Sequence, residues 1–427
     1  MPSKKSRPAI HYRDDILTIE DIPLPALAER VGTPAYIYSR AAMQAAYARY
    51  RDAFEGMDAL VCYAVKANTN LSVIRTFADM GSGADVVSGG ELRRALAAGV
   101  PARRIVFSGV AKTREEIDFA LNADILQFNV ESEPELKAIS AAAMAFGRRA
   151  RIAIRVNPDV DAGTHAKIST GLTENKFGIA LNRALGVFRE AKTLPGIDIQ
   201  GVAVHIGSQL TSLAPYGLTF DRIAAFVGQL AAAGIKLSTI DIGGGLGIAY
   251  HEDTGPIPTP ADLAKLARER LGGLGCRLIV EPGRSLVGAA GLLLTRVIYE
   301  KHGGDRRFLI LDGAMNDLMR PALYDAYHRI VPVVRTGAPE SPADIVGPVC
   351  ETGDTFARAR PMPPLQPGDL VAILDAGAYG AVMASTYNAR PLVPEVMVDG
   401  GSASIIRERP SHADMMALDS NRAIAFA

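Results

Sequence analysis

The sequence predicts an α/β protein made of a (β/α)₈ barrel and a mainly β second domain. Three observations lead there. Eight short apolar, β-branched runs recur through the first two thirds of the chain, with amphipathic stretches between them. Such alternation implies parallel strands joined by right-handed crossovers. The eight units occupy about 245 residues, the usual size of such a barrel. After about Leu286 the rhythm gives way to extended segments punctuated by Pro and Gly. An open doubly wound sheet remains the alternative for the first part, because periodicity alone does not separate the two.

The eight strands are read at Leu60–Val65, Ala84–Val87, Arg104–Phe107, Ile125–Phe128, Ile152–Val156, Val202–His205, Thr239–Ile242 and Leu278–Val280. Helices are read at Gly90–Ala98, Glu133–Phe146, Tyr216–Ala233 and Ala261–Leu271, with Arg40–Arg51 ahead of the first strand. Residues 41–286 then form the barrel. Residues 287–427, completed by residues 1–40, form the β domain, with strands at Ala290–Tyr299, Arg307–Leu311, Asp344–Val349 and Leu370–Leu374.

Composition narrows the function. Of 427 residues, 48% are apolar and 22% charged, an ordinary globular balance, so a fibre or disordered tail is not expected. Lys+Arg 46 against Asp+Glu 46 gives no net field to draw nucleic acid or an anionic membrane. The longest clean apolar run, Leu286 to Leu294, is far below the ~20 residues of a membrane span. No apolar region follows the basic N-terminus, so no secretory signal is expected. Cys62, Cys276 and Cys350 are widely separated, without a CxxC pair. That points to a reducing, cytoplasmic setting and away from disulfides or structural zinc. No HExxH occurs and the histidines are scattered, so no metal is expected.

The unusual polar residues fall at strand C-termini, where barrels carry their chemistry. Lys66 ends the first strand, and Asp85 and Ser88 lie in and after the second. His205 ends the sixth, Gly243, Gly244 and Gly245 follow the seventh, and Glu281, Gly283 and Arg284 follow the eighth. Each alone has an ordinary reading as a solvated lysine, a core histidine or a tight turn. The glycine run does not fit G-x-G-x-x-G, because Ile248 stands where a glycine is required. Five strands sending such groups to one rim is hard to explain by packing. A lysine amine forms a Schiff base with an aldehyde. Bare backbone N–H groups hold a phosphate. A carboxylate keeps a pyridine nitrogen protonated, and an imidazole can lie against the ring. Together these groups suit pyridoxal 5′-phosphate, an electron sink at an amino-acid α-carbon.

The motifs YAVKAN (63–68), ADVVSGGEL (84–92), HIGSQ (205–209), DIGGGLGI (241–248), EPGRS (281–285), MRPALY (319–324), GPVCETGD (347–354) and GAYGAVMASTYNARP (377–391) continue the pattern. With TPAYIYS (33–39) and ENKFGI (174–179), the chain resembles the diaminopimelate decarboxylases, among the alanine-racemase-like (fold type III) pyridoxal phosphate enzymes. The resemblance runs through most of the chain. It implies decarboxylation of meso-2,6-diaminopimelate to L-lysine and CO₂, the last step of lysine biosynthesis, by a homodimer with shared active sites.

By the same resemblance Lys66 is the Schiff-base lysine, His205 stacks on the pyridine ring and Glu281 meets its nitrogen. Asp85, Ser208, Gly243 to Gly245, Pro282, Gly283, Arg284 and Tyr379 match cofactor-binding positions. Arg284, Arg320, Tyr324, Glu351 and Tyr379 match substrate-binding positions. Cys350, supplied by the second subunit, matches the residue that returns a proton to the α-carbon. Thr352 replaces the usual serine, and Asn175 stands at a variable place. Two arginines, Arg284 and Arg320, suit a distal carboxylate held in forked bonds. A decarboxylase for a carboxylated polyamine, and a non-catalytic homologue, are the competing readings. The intact set Lys66, Glu281 and Cys350 speaks against the latter.

Overall fold

The computed structural model describes residues 9–161, 176–251 and 253–419. Asn175 lies outside them. The chain divides into two compact units, one of residues 42–288 and one of residues 1–41 with 289–427.

The first unit is a closed barrel of eight parallel strands. They are Ala59–Ala64, Gly83–Val86, Ile105–Phe107, Gln127–Val130, Ala150–Asn157, Ile197–Ala203, Thr239–Asp241 and Arg277–Val280. Each pairs with the next, and Leu278–Val280 pairs with Ala59–Val61 to close the ring. The open-sheet alternative is thereby excluded. Helices Leu71–Ala78, Gly89–Ala97, Arg114–Ala123, Glu133–Ala145, Leu181–Thr193, Ala214–Ala232 and Pro260–Leu271 fill the crossovers. Their starts are written in the sequence. Ser88 and Ser132 accept bonds from the N–H groups of Glu91 and Glu135, and Thr113 and Thr259 close capping boxes with Glu116 and Asp262.

Most strand limits differ from the sequence reading by a residue or two, and three of the differences bear on the site. The first strand stops at Ala64, and Lys66 sits in a 3₁₀ turn, Val65–Ala67, closed by Asn68 N–H to Val65 O at 3.1 Å. The sixth stops at Ala203, two residues before His205. The fourth runs two residues later than expected, over Gln127–Val130, because Phe128–Val130 carry the ladder to Ile152–Ile154.

The second unit is built on the long strand Gly291–Gly303. Ala35–Ser39 runs antiparallel beside it, followed by Glu395–Asp399 and Ser402–Arg407. On the other side lie Arg306–Leu311, Ser341–Val346 and Thr355–Met362, while Leu370–Ile373 pairs with both Gly291–Gly303 and Ile330–Pro332. The strand expected to reach Val349 ends at Val346, because Asp354 Oδ2 takes the Val349 N–H at 2.7 Å. Leu17, Ile19, Ile37, Leu292, Leu294, Val333 and Val396 form one core here. No described helix is long and apolar enough to cross a membrane.

Candidate active site

The barrel's strand ends open into a cavity of about 320 Å³ lined by Lys66, Ser108, Asn129, Arg155, Phe177, His205, Asp241 and Glu281, among others. Lys66 Nζ donates to Asp85 Oδ2 at 2.7 Å. Asp85 is fully buried, whereas Lys66 keeps a third of its side chain exposed. The other oxygen, Asp85 Oδ1, is buried with no hydrogen-bond partner among the described residues. A buried acceptor left open beside an amine is what a site for a further polar group looks like.

His205 follows the sixth strand and faces the cavity. The Gly244 N–H donates to its Nδ1 at 3.2 Å, which leaves the proton on Nε2. Burial, then the charges of Lys66 and Arg155, hold the imidazole well below its ordinary value. A neutral flat ring is therefore presented to the cavity.

The glycine run has a structural use beside the phosphate-holding one read from the sequence. The Gly243 N–H donates to Asp241 Oδ1 at 2.9 Å, and the Gly244 N–H is taken by His205. Two of the three backbone donors are thus spent inside the protein. Gly243 has φ +67, and a Cβ on Gly244 would fall 2.1 Å from Glu281 O. The run lets the ends of the last two strands approach, rather than simply offering three donors to an anion.

Glu281 and Asp241 lie side by side in this seam, 6% and 1% exposed. Burial first, then Asp241 and Asp85, push the Glu281 carboxyl well above the ordinary range, and burial pushes Asp241 up to about 6. Arg284, 7% exposed, donates from Nη1 to Tyr250 Oη at 2.7 Å and from Nη2 to Ser208 Oγ at 3.0 Å. Gly283 precedes it, and Pro282 O accepts from Ala64 N–H at 3.0 Å.

Several site residues were not singled out from the sequence. Arg155 donates to Glu131 Oε1 at 2.7 Å, and the same carboxylate accepts the N–H groups of Gly109 and Gly178 at 3.1 and 2.9 Å. Asn129 Nδ2 reaches Asp241 Oδ2 at 2.9 Å and Ser108 Oγ at 3.1 Å. Tyr250 was also missed. The signal was there: Gln127 with Asn129, and Thr239 with Asp241, are polar pairs at period two in strands that should read apolar.

The remaining expected residues lie in the second unit. Cys350 is exposed, with Sγ 3.8 Å from Asn388 Oδ1. Glu351, also exposed, accepts from Tyr387 Oη at 3.3 Å. Arg320 is buried, with Nη1 2.7 Å from His328 Nε2, and His328 Nδ1 is 2.8 Å from Leu374 O. Tyr324 is half-buried at the end of the short helix Arg320–Tyr324, and Tyr379 is half-buried with φ 55.

A lysine paired to a buried aspartate, a neutral imidazole and a buried acid stand together at the mouth of a parallel barrel. Residues 40–288 match the family model of the pyridoxal-dependent decarboxylase pyridoxal-binding domain, so the fold is that of a barrel-type pyridoxal-dependent decarboxylase. Diaminopimelate decarboxylase of Zymomonas mobilis is 49% identical over 95% of this chain and 96% of its own length. That of Neisseria meningitidis serogroup A is 51% identical over 94% and 98%. Among solved structures, diaminopimelate decarboxylase from Helicobacter pylori complexed with L-lysine superposes with a TM-score of 0.89 at 44% identity, over 92% of this chain and 98% of that one. The chain belongs to the diaminopimelate decarboxylase family.

Proposed function

We infer that the chain removes the carboxylate from the D-configured centre of meso-2,6-diaminopimelate, giving L-lysine and CO₂, with pyridoxal 5′-phosphate as cofactor. The observation that carries this is the Lys66 amine, held 2.7 Å from buried Asp85 beside a cavity that His205 and Glu281 also line, in a chain about half identical to diaminopimelate decarboxylases from end to end.

The residues fit the cofactor. Lys66 offers an amine, Asp85 Oδ1 an open acceptor, His205 a neutral ring face and Glu281 a buried acid. Pyridoxal phosphate, when bound, supplies an aldehyde for amines and an electron sink for charge left at the α-carbon. Lys66 would hold it through its amine, the group that Asp85 keeps in place. Asp85 holds the Lys66 Nζ in position between turnovers. Glu281 holds the proton at the ring nitrogen, where the charge that develops in the transition state is stabilised. His205, kept neutral, packs on the ring without adding a charge. Ser208, Gly243 to Gly245, Pro282, Gly283, Arg284 and Tyr379 are assigned to the cofactor. With its first two N–H groups committed elsewhere, the glycine run's contribution to phosphate falls to Gly245.

Arg284, Arg320, Tyr324, Glu351 and Tyr379 are assigned to the substrate. Two guanidinium groups would take the distal carboxylate and Glu351 the distal ammonium. Cys350 Sγ returns the proton to the α-carbon. Its exposure and that of Glu351 within one chain support a homodimer in which these residues serve the partner's site; the three widely spaced cysteines support a reducing, cytoplasmic setting. A site built for a buried carboxylate rejects analogues without it by about 10⁴–10⁵. The test is steady-state CO₂ release and product analysis with meso-diaminopimelate, lysine, ornithine and a carboxylated polyamine. Lysine formed from diaminopimelate alone supports the reading. CO₂ from the polyamine and none from diaminopimelate would replace the substrate.

A further inference from the structure

Asp241 ends the strand Thr239–Asp241 and Glu281 follows its neighbour Arg277–Val280; both buried carboxyls line the same cavity, and one Asn129 nitrogen reaches both. Two carboxyls that share one buried site do not both ionise readily, because like charges at that range hold a proton on one of them. Asp241 is the better anion. Its Oδ1 accepts the Gly243 N–H at 2.9 Å, and its Oδ2 accepts Asn129 Nδ2 at 2.9 Å. The same Asn129 nitrogen is 3.5 Å from Glu281 Oε1. The Asn129 amide cannot turn over freely. Its Oδ1 accepts from Gln127 Nε2 at 2.9 Å, and Gln127 Oε1 accepts from Thr239 Oγ1 at 2.9 Å. With two donors on Asp241 and one long contact on Glu281, the shared proton is assigned to Glu281.

Other elements add little positive charge to the pair. Asp85 on the second strand is a third buried acid, and Lys66 is engaged with it. Cys62 on the first strand is pushed up by burial and stays a thiol, and His205 is held neutral. Arg155 on the fifth strand is bound to Glu131.

We propose that cofactor loading is coupled to loss of this proton: the ring N–H of the incoming pyridoxal phosphate replaces it as the partner of Glu281. The inference rests on the cofactor reading above. The cofactor's ring nitrogen is protonated near neutral pH in free solution. On binding, the Glu281 O–H bond breaks, its proton passes to solvent, and the carboxylate left behind accepts the ring N–H. No electrons change hands. Asp241 is then a positioning residue, which aims Glu281 and stores the proton until the cofactor arrives.

Binding that expels a proton tightens with pH. The slope is about tenfold per pH unit while the pair holds its proton, and it flattens once the pair ionises on its own. In Asp241→Asn the new amide can donate to Glu281, which then needs no proton. The same holds for Glu281→Gln, which has none to lose. Cofactor-free wild type and both variants are titrated calorimetrically near neutral pH, in two buffers of unlike ionisation heat. The probe is pyridoxine 5′-phosphate, which keeps ring and phosphate but has no aldehyde for Lys66. The pH slope of pyridoxal phosphate affinity is measured in parallel. Wild type should release about one proton more than either variant and show a slope steeper by about tenfold per unit. Equal proton counts or equal slopes overturn the proposal, and if one variant does not fold the other decides. If pyridoxal phosphate binds but the counts are equal, only this inference falls. If it does not bind at all, the cofactor reading falls and takes this inference with it.

Discussion

Lys112 carries a prediction whose size follows from its surroundings. Its side chain is 1% exposed and donates to Glu135 Oε1 at 2.6 Å, Gly109 O at 2.8 Å and Asn129 O at 2.9 Å. Glu135 Oε2 in turn accepts the Glu131 N–H at 2.8 Å. One ammonium thus ties the loop after the third strand, the fourth strand and the helix Glu133–Ala145. Lys112→Met leaves a buried carboxylate without its cation, which typically costs 3–5 kcal/mol, or roughly that at neutral pH here. Glu135 can escape by protonation, and burial already holds its carboxyl above the ordinary value against the pull of Lys112. Removing Lys112 raises it further.

The sign follows. A carboxyl raised in the folded state is no burden where it is protonated both folded and unfolded, and the burden grows as pH rises through the folded value. The variant's deficit should be smallest in mild acid, where about 1–3 kcal/mol remains for the carbonyls that lost their donor. Urea unfolding of the cofactor-free protein, followed by far-UV circular dichroism across pH, measures it. Lys112→Met with Glu135→Leu should be more stable than Lys112→Met alone, because the orphaned charge is gone. A single-variant loss below about 1 kcal/mol with no pH trend would refute the reasoning.

Four further outcomes are expected. Lys66→Ala should lose the visible band of the protein-bound cofactor and release the cofactor on dialysis. A full band would place the covalent link elsewhere. Cys350→Ala should keep the cofactor and lose turnover by about 10²–10⁴, the usual worth of a positioned acid, and unchanged turnover would assign the proton to another group. Tyr250→Phe removes the 2.7 Å bond that aims Arg284 and should lower kcat/KM by about tenfold, one bond to a charged group. Equality with wild type would show that Ser208 suffices. Mixing Lys66→Ala with Cys350→Ala subunits should recover part of the activity through hybrid dimers, and none would count against shared sites.

What the sequence made readable was the set of titratable residues that stand at strand ends. Lys66, His205 and Glu281 were found there because a charged or titratable group after an apolar run is conspicuous. The exact ends of strands were less readable. Lys66 and His205 fall one turn beyond their ladders because hydrogen bonds from neighbouring loops, not propensity, decide where a strand stops. The second layer was hidden for another reason. Asn129, Asp241 and Arg155 lie inside strands, in QFNV, TID and IAIRVN, where a polar residue reads as a flaw in a buried strand. Which partner satisfies it depends on residues more than a hundred positions away, as with Asn129 and Asp241, and no local pattern records that.

The hidden layer explains why the visible one is arranged as it is. A barrel interior can hold a charge only if it is paired or neutralised. Behind the cavity wall, Asp85 is balanced by Lys66 and Glu131 by Arg155. Asp241 and Glu281 have no cation so placed among the described residues and are balanced by a proton instead, with Asn129 supplying the remaining donor. A cation in Asn129's place would ionise both acids permanently and leave nothing for an incoming ring N–H to replace. An apolar residue there would leave Asp241 Oδ2 with one donor fewer and let the proton wander to the wrong carboxyl. A neutral amide, locked by Gln127 and Thr239, meets both requirements, which is why a buried asparagine stands in mid-strand among the Ile, Val and Phe of the barrel wall.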